Sequence, residues 1–141
     1  MMSKPKNEYR IYVVDDEPII ASTLGTILSQ KGFEVSCFVD PLKALEAVQR
    51  KAPDFLIADV VMPEMSGIEL AIVIRETCPS CTVLLFSGQI VTTQLLEAAR
   101  DRGHDFEVLT KPVHPGEILD RVFSGFGLAS GSGGSTGKLG S

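Results

Sequence analysis

The order of apolar segments along the chain is the feature that most restricts its fold. Short runs rich in β-branched and aromatic residues alternate with longer segments whose apolar residues recur at helical spacing. Strands that alternate with helices of this length form βαβ units, in which consecutive strands are parallel. The pattern predicts a doubly wound α/β domain, with a five-stranded parallel sheet and helices on both faces.

The predicted strands cover residues 9–14, 34–39, 54–60, 82–87 and 105–110, and the predicted helices cover residues 18–32, 40–52, 68–77, 91–103 and 114–126. Pro18 and Pro41 stand at the first position of their helices, where a missing N–H is harmless. Asp40 and Ser66 are the predicted N-caps of the second and third helices. Nearly unbroken apolar strands, such as FLIA and VLLF, indicate a sheet that is covered on both faces.

Length and composition favour one domain with one core, since the chain has 141 residues and 44% of them are hydrophobic. We expect residues 9–127 to form this domain and residues 1–8 to be an N-terminal extension. Residues 128–141 are rich in Gly and Ser, which predicts a flexible tail of artificial origin.

The charge and the apolar pattern also limit the partners that we expect. A formal net charge of -5 argues against direct binding to nucleic acid or to a membrane surface. No apolar run is long enough for a membrane span, and the polar N-terminus does not resemble a signal peptide. A cytoplasmic protein is therefore expected. Separately, both histidines are expected to lie on the surface of the protein.

The cysteines do not predict a site. Cys78 and Cys81 form a CPSC motif, but this motif precedes a predicted strand, whereas a thioredoxin-like motif opens a helix. Two thiols alone do not complete a zinc site. A loop is the favoured interpretation, and the role of the pair is left open.

Polar and charged residues stand where the predicted strands end. In an open parallel sheet, ligands bind beyond the carboxyl ends of the strands. The residues at these ends are Asp15 and Asp16, Asp59, Ser87, and Lys111. We therefore expect three carboxylates, one hydroxyl and one ammonium group to face a single shallow pocket.

Clustered carboxylates need a compensating charge. Two carboxylates about 4 Å apart repel each other by roughly 4 kcal/mol at an effective dielectric constant of about 20. A set of oxygen ligands that water completes suits Mg²⁺, and no histidine or cysteine stands at these strand ends to favour zinc. The acidic pair Asp15 and Asp16 is therefore predicted to hold Mg²⁺.

A carboxylate, a hydroxyl, a lysine and Mg²⁺ together suit phosphoryl transfer, in which positioning and charge neutralisation supply most of the catalysis. A carboxylate can be the nucleophile and form an aspartyl phosphate. Asp59 is the best candidate because it stands alone at the end of its strand. Lys111 is then expected to neutralise phosphoryl charge, and Ser87 to donate a hydrogen bond to a phosphoryl oxygen.

Four motifs, VVDDEP, ADVVMPEMSG, LLFSG and LTKP, resemble those of the receiver domain of bacterial two-component response regulators. The resemblance implies a flavodoxin-like sheet with strand order 2-1-3-4-5. It also implies that Asp59 accepts a phosphoryl group from a histidine kinase or histidine phosphotransfer protein. The backbone carbonyl of Val61 then joins Asp15, Asp16 and Asp59 around Mg²⁺, and a cis peptide bond between Lys111 and Pro112 aims the lysine.

The resemblance further implies a switch and shows one departure from the family pattern. Phosphorylation is expected to alter a surface around residues 88–102 and 105–123, which an effector or output domain reads and which can form a homodimer. The family's readout aromatic stands three residues before the lysine, where this chain has Val108, and Phe106 lies two residues earlier. Val61 and Gln89 occupy positions that tune dephosphorylation, and an apolar Val61 is expected to slow attack by water.

Other interpretations of the same residues remain open. Asp15 and Asp16 can cap the first helix, Asp59 can form a turn, and Lys111 can be an ordinary surface lysine. A flavin-binding flavodoxin needs a phosphate loop where this chain has DDEP. A phosphohydrolase with an aspartyl nucleophile needs a second acid at position 61 as proton donor. A receiver that only binds partners is disfavoured, since all five site residues are intact.

We therefore expect a signalling domain that catalyses its own phosphorylation and dephosphorylation, not an enzyme that turns over a metabolite.

Overall fold

The computed structural model describes residues 4–88 and 93–129, and these form one five-stranded parallel sheet with helices on both faces. The strands are β1 (Arg10–Val14), β2 (Glu34–Phe38), β3 (Phe55–Asp59), β4 (Thr82–Ser87) and β5 (Glu107–Thr110). The helices are α1 (Pro18–Gln30), α2 (Pro41–Val48), α3 (Gly67–Thr77), α4 (Thr93–Asp101) and α5 (Pro115–Gly125). The strand order is β2-β1-β3-β4-β5, which confirms the predicted fold.

The order of the strands determines where a site can form. The chain leaves β1, crosses to β2 on one side, and returns to β3 on the other side of β1. Ile11 pairs with Phe55 and Val14 with Ala58, so β1 and β3 end side by side. The carboxyl ends of β1 and β3 therefore flank the crevice in which open α/β sheets bind their ligands.

The core consists of two apolar layers, one on each face of the sheet. In β1, Ile11 and Val13 pack with α1 and α5, whereas Tyr12 and Val14 pack with α2 and α3. All five residues of β3 are buried. A strand that is covered on both faces has no polar face, which explains why residues 55–58 are all apolar. Each large apolar side chain buried in this way contributes about 1.5–3 kcal/mol.

The predicted N-caps of α2 and α3 are confirmed. Asp40 accepts a hydrogen bond of 2.9 Å from the backbone N–H of Leu42. Ser66 and Glu69 form a reciprocal capping box, with bonds of 3.0 and 3.1 Å. The predicted end of α2 at residue 52 is wrong, because the helix ends at Val48 and turns follow it. The N–H groups of Gln49 and Arg50 donate to the carbonyls of Glu46 and Ala47, three residues back, so turns replace the α-helix after Val48.

The two ends of the described chain pack against each other at the edge of the sheet opposite the carboxyl ends of the strands. The ring of Tyr9 stacks on that of Phe126, with 4.2 Å between centroids. The N–H of Leu128 donates to the carbonyl of Phe123, and Gly127 has a φ of 69°. This is a Schellman ending, which needs a left-handed residue directly after the helix.

No helix in residues 4–88 or 93–129 is long and apolar enough to cross a membrane.

The expectation that both histidines lie on the surface is wrong for His104, which is only 8% exposed. Its ring stacks on Phe106 with 5.6 Å between centroids, and its Nε2 atom lies 3.2 Å from Glu76 Oε2. Arg102 Nη2 lies 2.8 Å from both carboxylate oxygens of Glu76. Gly103, with a φ of 88°, reverses the chain between Arg102 and His104. These contacts tie the connection between α4 and β5 to the end of α3.

Replacement of Gly67 by Ala should destabilise the fold strongly. A Cβ atom at Gly67 would lie 2.1 Å from the carbonyl oxygen of Asp59, which belongs to a central strand and has no room to move. We expect a loss of about 3 kcal/mol in the free energy of unfolding, measured by urea denaturation. Gly88→Ala is the control, because its Cβ would make only an ordinary contact of 3.6 Å with Lys111. Equal losses in the two variants would contradict this packing argument.

Candidate functional site

The carboxyl ends of three strands bring two acids and one lysine together. Asp15 directly follows β1, Asp59 is the last residue of β3, and Lys111 directly follows β5. Lys111 Nζ lies 3.3 Å from Asp59 Oδ2 and 4.0 Å from Asp15 Oδ2. The arrangement therefore contains two carboxylates that share one ammonium group.

Both carboxylates are buried because β1 and β3 lie in the middle of the sheet. Asp15 is 0% exposed and Asp59 is 5% exposed. Asp15 Oδ1 accepts a hydrogen bond of 2.9 Å from the N–H of Glu17, whereas Asp15 Oδ2 has no hydrogen-bond partner. The N–H of Val61 donates to Asp59 Oδ1 at 3.4 Å. One buried carboxylate oxygen is thus left without a donor, which carries a free-energy cost unless a cation approaches it.

The backbone of β4 positions Lys111 and Ser87 beside each other. The N–H of Lys111 donates to the carbonyl of Ser87 at 2.8 Å, and Ser87, the last residue of β4, is buried. Lys111 Nζ lies over the ring of Phe86, 5.0 Å from its centroid. The peptide bond between Lys111 and Pro112 is cis. These contacts place the Lys111 ammonium group at the edge of the acidic pair.

The acid that joins the buried pair within the described chain is Glu17. One carboxylate oxygen from each of Asp15, Glu17 and Asp59 lies within 4.8 Å of the other two. Asp16 is half-buried and is not part of this group of the described residues. Glu17 Oε1 also lies 3.8 Å from Lys111 Nζ. No role is predicted for Glu17 from the sequence, although its place in the acidic run after β1 is a usable signal.

The interpretation of Asp15 and Asp16 as caps of the first helix is wrong. The N-cap of α1 is Glu17, with extended backbone, and the helix begins at Pro18. The side chain of Glu17 makes no capping hydrogen bond either. The acidic run after β1 is therefore not explained by the needs of α1.

The environment raises the pKa of Asp15 to about 6, chiefly because burial disfavours the charged carboxylate. The hydrogen bond from the Glu17 N–H opposes this shift, the neighbouring Asp59 adds to it, and the positive charge of Lys111 opposes it. A pKa raised this far corresponds to a cost on the order of 3 kcal/mol for keeping the carboxylate ionised at neutral pH.

The donor set fits a hard divalent cation. Its atoms are carboxylate oxygens with nearby backbone groups, and Mg²⁺ prefers oxygen ligands that water completes. The unpartnered oxygen of Asp15 offers a position where a cation would replace a missing donor. The arrangement can therefore hold Mg²⁺ beside the carboxylate oxygens of Asp59.

Residues 11–123 match the profile of the response regulator receiver domain. The chain belongs to this family. The receiver domain is 34% identical over 113 residues to the response regulator MprA of Mycobacterium leprae, covering 80% of this chain and 49% of that protein. It is 32% identical over 112 residues to the transcriptional regulatory protein CreB of Escherichia coli, covering 79% and 48%. The chain thus spans about half the length of these curated relatives.

A solved structure shows the same fold. A CheY-like receiver domain protein from Methanospirillum hungatei superimposes with a TM-score of 0.76 at 23% identity, covering 84% of this chain and 94% of that chain. The family match and the relatives establish a signalling domain of two-component systems. Phosphorylation and Mg²⁺ binding are typical of this family.

Replacement of Asp15 by Asn should stabilise the protein at neutral pH when divalent cations are absent. Because the folded-state pKa of Asp15 is raised from 3.8 to about 6, folding favours the protonated form, and this contribution to stability is lost as the pH rises through 6. We expect the free energy of unfolding of the variant to exceed that of the wild type by about 1–3 kcal/mol at pH 7.5. Near pH 4 we expect little difference between the two proteins.

Urea denaturation at both pH values measures this difference. Asp105→Asn is the control, since Asp105 is exposed and, among residues 4–88 and 93–129, its carboxylate forms an ion pair only with the exposed Arg100, so we expect little change. A destabilised Asp15→Asn at pH 7.5 would show that the carboxylate is compensated within the protein.

Proposed function

We propose that this receiver domain accepts a phosphoryl group on Asp59 from a histidine kinase or histidine phosphotransfer protein, in a reaction that needs Mg²⁺. The observation that carries the proposal is the position of Asp59. It ends a central strand, it is buried beside a second carboxylate, and its Oδ2 atom lies 3.3 Å from the ammonium group of Lys111. No other aspartate of the described chain has this combination of contacts.

In the proposed reaction, an oxygen of Asp59 forms a bond to phosphorus while the bond between phosphorus and the donor nitrogen breaks, and the electron pair leaves with the donor. Lys111 neutralises charge on the phosphoryl oxygens. Ser87, held beside Lys111 by the backbone, donates a hydrogen bond to one of these oxygens. Mg²⁺, held by Asp15, Asp16, Asp59 and the carbonyl of Val61, supplies further charge neutralisation when bound.

The domain promotes its own phosphorylation and dephosphorylation and turns over no separate metabolite. The competing assignment, a phosphohydrolase, needs a general acid two residues after the nucleophile. Val61 stands at that position, 50% exposed, and its aliphatic side chain transfers no proton. A bound phosphoryl group on Asp59 is therefore expected to persist long enough to act as a signal.

A groove beside the site supports a protein as the phosphodonor. It has a volume of about 540 Å³, opens at Lys111, and is lined mainly by apolar side chains of α1, the end of β4 and the start of α5. Ile19 at its rim is 79% exposed. An uncovered apolar groove next to a reactive group is typical of a surface that binds a partner. A helix that carries the phosphorylated histidine fits this description.

The readout surface is proposed to lie around residues 88–102 and 105–123. Val108 is half-buried at the position of the family's readout aromatic, and Phe106 is held by its stack with His104. An aromatic side chain that rotates on β5 is thus not the readout in this domain.

The proposal also includes an effector or output domain as partner, a homodimer and a cytoplasmic location. The domain itself is assigned to residues 9–127. Gln89 and residues 130–141 of the proposed tail lie outside the described residues.

Asp59→Asn should abolish phosphorylation. Incubation with Mg²⁺ and a small acyl phosphate, followed by intact-mass measurement, should add one phosphoryl group to the wild type and none to the variant, because an amide is not a nucleophile here. Asp40→Asn is the matched control, since Asp40 caps α2 and asparagine caps equally well, so it should be labelled like wild type. Full labelling of Asp59→Asn would place the phosphoacceptor elsewhere.

Val61→Asn should shorten the lifetime of the phosphorylated form. A polar side chain at this exposed position can hydrogen-bond water near the phosphoryl group, whereas valine cannot. We expect hydrolysis to be about tenfold faster, followed by intact mass after removal of the donor. Val73→Asn replaces another exposed valine, on α3, and the phosphorylated form of this variant should hydrolyse at the wild-type rate. Identical lifetimes for Val61→Asn and Val73→Asn would remove Val61 from the control of dephosphorylation.

A further inference from the structure

Glu17 is an N-cap residue whose side chain does not cap. The N-cap side chains of α2, α3 and α5 each accept a hydrogen bond from a backbone N–H of their own helix. Glu17, at the start of α1, makes no such bond. Glutamate is a weak N-cap, since Ser, Thr, Asp and Asn are preferred there. The residue type at this position is therefore not explained by the stability of α1.

The carboxylate of Glu17 instead belongs to the acidic site. Its Oε1 atom lies 3.8 Å from Lys111 Nζ, and a carboxylate oxygen lies within 4.8 Å of oxygens from both Asp15 and Asp59. Its side chain is 62% exposed, whereas Asp15 and Asp59 are buried. Glu17 can thus approach the pocket from its solvent side.

A second observation shows that the positive charge of Lys111 does not balance the carboxylates of this pocket. Asp15 is fully buried, and its Oδ2 atom has no hydrogen-bond partner and lies 4.0 Å from Lys111 Nζ. When ionised, Asp15, Glu17, Asp59 and Lys111 together leave two negative charges. A divalent cation neutralises both and approaches the unpartnered oxygen.

We propose that the Glu17 carboxylate is a further ligand of the divalent cation, in addition to the ligands that the proposed function assigns. This inference rests on the proposed function, because the cation is the one that phosphorylation of Asp59 uses. Binding by Glu17 raises the affinity for the cation. It also removes Glu17 from Lys111, so that the ammonium group becomes available to the phosphoryl group. The longer glutamate side chain makes this exchange possible without a movement of α1.

Cation affinity, measured without any phosphodonor, tests the inference. Isothermal titration calorimetry with Mg²⁺ and with Mn²⁺ compares the wild type with Glu17→Gln and Glu64→Gln. Glu64 is the matched control, because it is an exposed acid in the loop after β3 that does not belong to the three-carboxylate group. We expect Kd to rise about tenfold in Glu17→Gln and by less than about twofold in Glu64→Gln.

The outcomes separate this inference from the proposed function. Equal affinities of Glu17→Gln and Glu64→Gln, with clear binding by the wild type, would contradict the role of Glu17 and leave the cation site intact. A wild type that binds neither cation would contradict the proposed function as well. Circular dichroism of each variant before titration shows whether the fold is retained, which we expect because both replaced side chains are exposed.

Discussion

Two carboxylates buried beside each other at the end of a parallel sheet are the constraint on which this structure depends. Asp15 and Asp59 lie at the ends of β1 and β3, where the surrounding protein shields them from water. Lys111 is the only ammonium group of the described chain that contacts both of them. One positive charge does not balance the pair and Glu17 together, so the site keeps an excess of negative charge when its acids are ionised.

The rest of the fold determines where these side chains lie. The crossover between β1 and β2 lets β1 and β3 end side by side, and the β4–β5 pair brings Lys111 to the same edge. Gly67 lets α3 begin against the backbone of Asp59, where any side chain would collide. Two apolar layers hold the strands from both faces. The acidic pair is therefore enclosed by the core, and the site is open to solvent on the side of Glu17.

Much of this architecture could be predicted from the sequence, because its signals are local and periodic. Proline and cap residues gave the starts of α1, α2 and α3, and acids at strand ends indicated the site. The environment of His104 could not be predicted, since its burial depends on Phe106 and on Glu76 from a distant helix. The place of Glu17 was missed for a similar reason. Its contact with Lys111 depends on where that lysine lies in the folded chain, and no periodicity in the sequence indicates that contact.

Diffraction from crystals that contain Mn²⁺ tests the central claim most directly, since the anomalous signal locates the cation itself. We expect one strong peak at the carboxyl ends of β1 and β3, within about 2.5 Å of an Asp59 carboxylate oxygen and in contact with the acidic residues that follow β1. A peak elsewhere on the protein, or none at the acidic pair in the presence of saturating Mn²⁺, would contradict it.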